Sequence, residues 1–299
     1  MKRIKDGKML SKIKLIIKNI LTLILYSINN IFLFTLGKYR HRVLYLLLQK
    51  IIPTVGIQLP NTDKKVQFFC PNEITYWRAK TMFEKEPETI EWVDTFDLRD
   101  TFWDIGANVG VYSLYAGSKG IKTLAFEPSA ANYWILNQNI FLNNYSSVIQ
   151  AYPIAFSKSK QLGSFNMSDL DVGGAIYKFG EKENFIHLSG VENTVNFHQG
   201  MLGFSIDDFV SEYKPDPPNH IKIDVDSIEV EIIMGAQNLL KNKIIKSVLI
   251  ELDSSEIDDV NLVTDIMNKS GLRFLHKKHS VEHTPKKLIS LYNYVFIRE

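Results

Sequence analysis

From about residue 60 onward, short hydrophobic runs alternate with stretches in which hydrophobic positions recur every three or four residues. The short runs predict buried strands and the periodic stretches predict helices, so the pattern indicates an α/β sheet. Ligands of open α/β sheets bind outside the carboxyl ends of the strands. Four of the predicted strands end there in an acidic residue: TFWDIG (101–106), KTLAFEP (122–128), HIKIDVD (220–226) and SVLIELD (247–253).

The other elements complete a recognisable layout. Two C-terminal runs, GLRFLHK and LYNYVFIRE, have no helix between them and therefore predict an antiparallel hairpin. A mostly parallel, seven-stranded, Rossmann-like sheet finished by such a hairpin is typical of class I methyltransferases that use S-adenosylmethionine. A dehydrogenase-type dinucleotide fold would keep winding strand–helix–strand. The remaining predicted elements are a strand at 147–156 and helices at 109–118, 130–143, 228–242 and about 256–269.

Residues from about 160 to 205 interrupt this alternation. They are rich in glycine, asparagine and aromatic residues, and they predict a long irregular insertion. Long insertions in compact domains are usually functional, so we interpret this one as a lid or substrate loop. The chain is thus predicted to consist of an N-terminal helical extension, residues 1–60, and a domain, residues 61–299, that contains the insertion.

The N-terminal extension carries an uncharged run of nineteen residues, 19–37, with basic residues on both sides. The run approaches the ~20 residues that a membrane-spanning helix needs, although Asn29 and Asn30 lie near its centre. Three interpretations stay open: a basic helix lying on a membrane surface, a spanning helix, and a helix packed on the domain or on a partner.

The charge distribution favours the membrane surface. Residues 1–50 hold eleven Lys and Arg and one acid, whereas the other 249 residues hold 24 Lys and Arg and 32 Asp and Glu. A basic extension suits an anionic membrane. The acidic domain has no basic stripe, which argues against a nucleic-acid partner. The single cysteine, Cys70, permits a reducing compartment, and we expect a cytoplasmic protein associated with the inner face of the membrane.

The segment DIGANVG, residues 104–110, reads as a strand that turns sharply into a helix. Its glycines, Gly106 and Gly110, have the spacing G-x-x-x-G, without the third glycine of a pyrophosphate-binding turn. Asp104 would repel a pyrophosphate, but it would attract the amino group of S-adenosylmethionine. Glu127 ends the next strand, where its carboxylate can accept hydrogen bonds from ribose hydroxyls. An ordinary strand–helix corner remains the structural alternative.

Several motifs in order resemble the FkbM family of S-adenosylmethionine-dependent methyltransferases. They are FWDIGANVGVYSLYA, AFEPSAANYWILNQNIFLNN, SIDDFV and IKIDVDSIEVEIIMGAQNLL, and the resemblance covers about residues 65–297. It implies a class I methyltransferase fold and methylation of an oxygen on a sugar or other natural product. It also implies that the cofactor turn comprises Asp104, Gly106, Asn108 and Gly110, with Glu127 as the ribose acid and Asp224 beside the cofactor.

The last motif departs from the family pattern I-K-I-D-V-E-G-x-E. Here it reads I-K-I-D-V-D-S-I-E, with Asp226 in place of the glutamate and Ser227 in place of the glycine. Glu229 matches the final glutamate. The shorter reach of Asp226 puts in doubt any role that depends on that reach, including the choice of substrate.

Methyl transfer to an alcohol needs alignment of donor and acceptor, and it benefits from a base that takes the hydroxyl proton. Asp224 is our first candidate for that base, followed by Asp226 and Glu229, and His198 is the candidate from the insertion. Two other interpretations of these acids stay open. Asp226 and Glu229 could form a capping box on the following helix, or the cluster could hold Mg²⁺ or Ca²⁺.

We therefore expect an S-adenosylmethionine-dependent O-methyltransferase that acts on a sugar hydroxyl in a glycan or glycolipid. The alternative is a non-catalytic module that keeps the methyltransferase fold and binds a partner at the membrane surface. A nicotinamide-dependent oxidoreductase would need the phosphate-binding turn that this sequence lacks.

Overall fold

The computed structural model describes residues 2–35, 39, 42–43, 45–46, 51, 53–175, 177–180, 185–186, 192–226, 228–279 and 290–299. Ser227 and parts of the predicted 160–205 insertion lie outside the described residues. The chain divides into two compact units, Met1–Pro53 and Thr54–Glu299.

The first unit contains one long helix, α1 (Lys2–Thr35). Where its side chains are described, at residues 16–31 and Phe34, the large hydrophobic ones are exposed, as illustrated by Leu21, Ile24 and Ile28 at 53%, 49% and 57%. The predicted uncharged helix is observed up to Thr35, and residues 36–38 lie outside the described part. In the described part of the chain, no helix combines the length and the hydropathy that crossing a membrane requires.

The second unit is an α/β domain. Its strands in chain order are β1 (Thr54–Gln58), β2 (Lys65–Phe69), β3 (Thr101–Ile105), β4 (Lys122–Phe126), β5 (Ile149–Tyr152), β6 (Ala155–Phe156), β7 (Gln161–Met167), β8 (Lys178–Gly180), β9 (Phe185–Ile186), β10 (Glu192–Asn193), β11 (Phe197–Phe204), β12 (His220–Ile223), β13 (Ser247–Asp253), β14 (Arg273–Lys278) and β15 (Leu291–Ile297). Its helices are α2 (Glu73–Lys80), α3 (Pro87–Asp94), α4 (Val111–Ser118), α5 (Ala130–Leu142), α6 (Ile206–Tyr213), α7 (Glu229–Met234), α8 (Gln237–Leu240) and α9 (Ile257–Lys269).

The main sheet has seven strands in the order β14-β15-β13-β12-β3-β4-β5. The five strands from β13 to β5 run parallel, and β15 pairs antiparallel with both β13 and β14. This is the class I methyltransferase architecture, so the predicted parallel sheet with a C-terminal antiparallel hairpin is confirmed. Between β3 and β12 the winding changes direction, and such a switch point opens a crevice at the carboxyl ends of the strands.

Hydrophobic side chains along the strands point alternately to the two faces of the main sheet, and each face carries a separate hydrophobic core. Phe102 belongs to one core, whereas Trp103 and Ile105 belong to the other. Neighbouring side chains of a strand point to opposite faces, which explains this division. Trp103 and Phe126, interpreted from the sequence as core residues, are 0% and 1% exposed.

The structure corrects the predicted insertion and one predicted strand. Residues 161–204 are not simply irregular, because β7, β8 and β11 form a four-stranded sheet with β6. The single strand predicted at 147–156 is interrupted at Pro153 and Ile154, and its two parts, β5 and β6, belong to different sheets. Proline cannot donate a hydrogen bond to the strand ladder, which explains a break at this point.

The helix predicted at 228–242 is likewise two short helices, α7 and α8. Gly235 lies at the break, and a Cβ on it would come within 2.5 Å of the Ser157 carbonyl oxygen. The Asp207 carboxylate accepts hydrogen bonds from the Asn238 and Leu239 amides, so it satisfies amides at the start of α8.

A buried polar chain stabilises the opposite end of β12, away from the acids that follow the strands. The His220 ring lies between Asp100 and Ser247, at 2.9 and 2.7 Å, and Phe96 stacks on it. Trp92 donates to Ser247, and Lys246 donates to Asp100. Burial lowers the pKa of His220 to about 4, despite the opposing effect of Asp100. The Ser–His–Asp order resembles a hydrolase triad, but its burial makes it a structural element.

Because the pKa of His220 is lower in the folded chain than in the unfolded chain, its contribution to stability is complete above pH 6.5. It is lost as the pH falls toward 4. We expect His220 to account for about 2.5 kcal/mol of the loss in unfolding free energy between pH 7.5 and 4.5. Urea unfolding of His220→Gln should show a correspondingly flatter pH dependence. His276→Gln, on the less buried edge strand β14, is the control, and equal slopes for wild type and His220→Gln would contradict this assignment.

Candidate active site

The turn after β3 lies directly against the segment that follows β12. Gly106 has a φ of +84°, and a Cβ on it would come within 1.8 Å of the Asp224 carbonyl oxygen. Gly110 also has a positive φ, +89°, and a Cβ there would meet Leu136 of α5 at 2.4 Å. Both glycines are therefore required by the fold itself.

Asn108 and Glu127 connect this turn to the end of β4. Asn108 adopts a left-handed φ of 51°, which asparagine tolerates better than most residues. Its main-chain N–H donates to Glu127 Oε2 at 2.8 Å, and the Ser129 N–H donates to Glu127 Oε1 at 2.8 Å. Burial raises the pKa of Glu127 to about 7, even though these two hydrogen bonds favour its charged form.

Two cavities meet at the turn, and Gly106, Asn108 and Asp224 line both of them. The walls of the first cavity combine acids with aromatic rings. The second cavity carries most of the basic groups. The first cavity is also lined by Glu127, Asn132, Phe156, Phe165, Tyr177, Phe179 and Asp226, and the second by Arg78, Lys85, Tyr112 and Lys222.

A segment of the insertion crosses the first cavity, and we call residues 171–175 together with Tyr177 the strap. The Asn108 and Asn132 side chains both donate to the Gly174 carbonyl, at 2.8 and 3.1 Å. Asn132 also accepts from the Gly173 N–H at 2.7 Å. At the end of the strap, the Tyr177 N–H donates to Asp226 Oδ2 at 3.1 Å. These hydrogen bonds fasten the strap to the turn, to α5 and to the segment after β12.

The second cavity contains two ion pairs. Lys222 is 1% exposed, donates to Asp224 Oδ2 at 2.6 Å, and lies 4.9 Å above the Tyr112 ring. Burial opposes its charge, but Asp224, Glu86 and Asp104 together raise the pKa of Lys222. Lys85 pairs with Glu86 at 2.5 Å. Although burial disfavours a charged carboxylate, Lys85 and Lys222 lower the pKa of Glu86 to about 2.

Three of the candidate acids lie at the cavities. Asp224 stands at their junction with its side chain 26% exposed, while Asp226 and Glu127 line the first cavity. Asp226 does not cap the next helix, because α7 begins at Glu229 after the non-capping residue Ile228. The capping-box interpretation of Asp226 and Glu229 is therefore wrong.

Asp104, Glu229 and His198 line neither of these cavities. Asp104 is 0% exposed and accepts from Ser113 Oγ at 2.6 Å, while its Oδ1 has no partner among the described residues. Burial raises the pKa of Asp104. Contact between its carboxylate and a ligand amino group, as expected from the sequence, is not available in this conformation.

Glu229 lies behind the site, where its Oε1 accepts from the Val225 N–H at 3.1 Å. Burial raises the pKa of Glu229 to about 8. His198 lies on exposed strand β11 of the second sheet, with Nδ1 2.7 Å from the Asn166 side-chain oxygen. Among the described residues, no group of three or more His, Cys, Asp and Glu side chains is placed to hold a metal ion.

Asn132 and Asn139 of α5 are both buried, and both side chains make hydrogen bonds to the main chain of other segments. Asn139 bridges Phe69 and Val109 through its side chain, so it fastens β2 to the end of the turn. Asn132 lines the first cavity but is engaged with the strap.

The basic residues of the second cavity were not anticipated. Lys222 offered the clearest signal, because it is the one charged residue inside the hydrophobic strand HIKI. A charge in a buried strand requires a partner, and that requirement points to a polar site. Arg78 and Lys85 carried no such signal, because an arginine in a helix or a lysine in a loop is usually exposed.

The family model of the methyltransferase FkbM domain matches residues 104–281, which is more than half of the chain. The chain belongs to the FkbM methyltransferase family. The match contains the turn, Glu127, the strap, and Asp224 with its neighbours. Arg78 and Lys85, in contrast, precede it in the sequence.

The individual methyltransferases that the chain resembles are distant in sequence. The methyltransferase sdnD of Sordaria araneosa is 27% identical over 167 residues, covering 48% of this chain and 64% of that protein. The hexuronic acid methyltransferase AglP of Haloferax volcanii is 22% identical over 198 residues, covering 66% and 73%. A crystal structure of methyltransferase FkbM from Methylobacillus flagellatus KT has a TM-score of 0.45 and 16% identity, covering 74% of this chain and 52% of that one. The chain thus matches less than two thirds of the Sordaria protein.

The close contact at Gly106 leads to a prediction about stability. Gly106→Ala places a methyl group against the Asp224 carbonyl oxygen at a φ that alanine disfavours. We expect a loss of about 3 kcal/mol or more in unfolding free energy, measured by urea titration. Gly200→Ala on β11 is the matched control, since no atom lies within 4 Å of its added methyl. A Gly106→Ala protein as stable as the control would show that the turn does not need this contact.

Proposed function

We propose that this chain is an S-adenosylmethionine-dependent methyltransferase that transfers a methyl group to a hydroxyl of a saccharide acceptor. The observation that carries the proposal is the junction of two cavities at Gly106, Asn108 and Asp224, with Glu127 on the wall of the first. The junction lies at the carboxyl ends of the central strands, which is where α/β sheets bind their ligands.

The first cavity suits the nucleoside part of such a cofactor. Each oxygen of the Glu127 carboxylate accepts one main-chain hydrogen bond and keeps a lone pair for a ribose hydroxyl. Phe156, Phe165 and Phe179 provide apolar surface for a flat base. Asp224 and Asp226 add negative charge, which suits a cationic ligand. When bound, S-adenosylmethionine would supply a methyl group already activated on a sulfonium.

Asp224 is the residue we assign to the acceptor. Lys222 holds its Oδ2, so the second oxygen is left to take the proton of an acceptor hydroxyl. The rest of the chemistry is positioning. The strap over the first cavity and the ion pairs in the second fix the walls between which donor and acceptor would be aligned.

A saccharide acceptor is supported by the chemistry of one FkbM relative and by the resemblance to the family. The Haloferax relative is named for methylation of a hexuronic acid. Hydroxyl-rich acceptors suit a cavity lined by Thr81, Tyr112, Lys85 and Asp224, because these side chains can exchange hydrogen bonds with sugar hydroxyls. The proposed reaction is therefore O-methylation of a sugar in a glycan or glycolipid.

The test of the proposal is cofactor binding and its dependence on pH. If the charged Glu127 carboxylate holds the ribose, S-adenosylhomocysteine should bind about tenfold more weakly at pH 6 than at pH 8, because the pKa of Glu127 is about 7. Isothermal titration calorimetry measures this. Glu127→Gln should bind more weakly at pH 8 and lose the pH dependence, whereas the exposed control Glu256→Gln should behave as wild type.

A wild-type protein that binds neither S-adenosylmethionine nor S-adenosylhomocysteine would refute the methyltransferase assignment and leave a binding module. Binding followed by transfer of a labelled methyl group to cell-envelope glycans would support it. Mass spectrometry of those glycans identifies the methylated sugar.

We further propose that the basic N-terminal unit holds the protein at an anionic membrane surface, near lipid-linked glycans. The exposed hydrophobic side chains of α1 and the lysines and arginines of residues 1–50 support this. Each basic residue near such a surface contributes about 1 kcal/mol, and insertion of hydrophobic side chains adds to it.

The corresponding prediction uses vesicles containing phosphatidylglycerol. The full chain should float with them, and high salt should weaken the association. Replacing Leu21, Ile24 and Ile28 together by Asn should lower the partition coefficient at least tenfold. The control replaces three exposed hydrophobic residues of the second unit, Leu98, Leu170 and Ile257, by Asn. Deletion of residues 2–53 without effect on flotation would contradict the proposal.

A further inference from the structure

The charges of the second cavity do not cancel completely. Three cations line it, and two of them have a carboxylate partner: Lys222 pairs with Asp224, and Lys85 pairs with Glu86. The third is Arg78 of α2. Among the described residues, no carboxylate lies within ion-pair distance of its guanidinium. One positive charge of the cavity is therefore left without a counter-charge.

Arg78 is held in place by the strap. Its Nε donates to the Gly173 carbonyl at 2.7 Å, and the side chain is half-buried. This hydrogen bond uses one of the five N–H donors of the guanidinium, so the terminal nitrogens are available to a ligand in the cavity that Arg78 lines. A fixed, planar guanidinium is the group best suited to bind a carboxylate through two parallel hydrogen bonds.

The positive charge of Arg78 acts on titratable groups of both cavities. Burial raises the pKa of Glu127 in the first cavity, and the charge of Arg78 partly offsets that rise. Despite its burial, the pKa of Lys85 in the second cavity is raised by Glu86 and Asp224, and the charge of Arg78 opposes that rise as well. An anion bound at Arg78 would consequently lie near the junction formed by Gly106 and Asp224. One unpaired cation balances one negative charge, so a monoanion such as a carboxylate fits better than a doubly charged phosphate.

We propose that Arg78, supported by Lys85, forms a carboxylate-binding subsite in the second cavity. The inference rests on the proposed methyltransferase function, because that function supplies two carboxylates that could reach this cavity. One belongs to the amino-acid part of the cofactor, and the other would belong to a uronic acid acceptor. Both present the same chemistry to Arg78, and the experiment distinguishes them.

The first arm of the test measures cofactor analogues by calorimetry. S-adenosylhomocysteine has the amino-acid carboxylate, and 5′-methylthioadenosine lacks it. If the subsite binds the cofactor, Arg78→Gln should lower the affinity for S-adenosylhomocysteine at least tenfold. The same variant should change the affinity for 5′-methylthioadenosine by no more than about twofold. Arg78→Lys should recover part of the loss, because it keeps the charge without the planar fork.

The second arm measures acceptor analogues in the presence of saturating S-adenosylhomocysteine. Methyl α-D-glucuronide and methyl α-D-glucoside differ only in the carboxylate, and ligand-observed NMR reports their relative affinities. If the subsite binds the acceptor, the wild type should prefer the glucuronide and Arg78→Gln should lose that preference. Arg99→Gln, an exposed arginine outside both cavities, is the control in both arms.

Loss of carboxylate preference in either arm supports the subsite and identifies its ligand. Unchanged preferences in both arms, with wild type and Arg78→Gln both binding S-adenosylhomocysteine, would overturn it and leave the methyltransferase assignment intact. Failure of the wild type to bind any adenosyl ligand would refute the proposed function instead. Thermal unfolding of each variant without ligand, together with the Arg78→Lys protein, separates lost binding from lost folding.

Discussion

The contact between Gly106 and the main chain of Asp224 is the constraint on which the site depends. It brings the ends of β3 and β12 together at the point where the sheet changes its direction of winding. A side chain at position 106 would separate them. Because the two chain segments touch, they form a common wall with a cavity on each side, and Asp224 is exposed to both. Donor and acceptor would thus be brought face to face by a property of the backbone.

The two cavities differ in their electrostatics, and the difference follows from which groups are paired. In the first, Glu127, Asp224 and Asp226 offer carboxylate oxygens beside aromatic rings. In the second, Lys222 is buried and therefore needs Asp224 close by, since an isolated charge in the interior is costly. The same pairing fixes the carboxylate that we assign to the acceptor. Under the proposed function, the buried Lys222 acts through the position of its partner Asp224.

Much of the fold was predictable because it depends on local patterns. The hydrophobic runs ending in Asp104, Glu127 and Asp224 correctly indicated the strands and the edge of the sheet where the cavities lie. The contacts of those acids were not predictable, because they depend on distant segments. Asn108 meets Gly174, which is 66 residues away, and neither local periodicity nor the glycine spacing reports that contact. The burial of Asp104 beneath the turn depends in the same way on how α4 packs, through Ser113.

The replacement of a glutamate by Asp226 acquires a physical meaning in this arrangement. Asp226 Oδ2 accepts from the Tyr177 N–H, so the carboxylate at this position determines how closely the end of the strap approaches the first cavity. A glutamate would extend the carboxylate by one methylene, and the strap would have to move or the bond would be lost. Tyr177 lines the cavity, and Arg78 in turn is held by Gly173 of the strap. The length of one acidic side chain is thereby linked to the walls of both cavities. Under the proposed function, this link connects the substitution at Asp226 to the choice of acceptor.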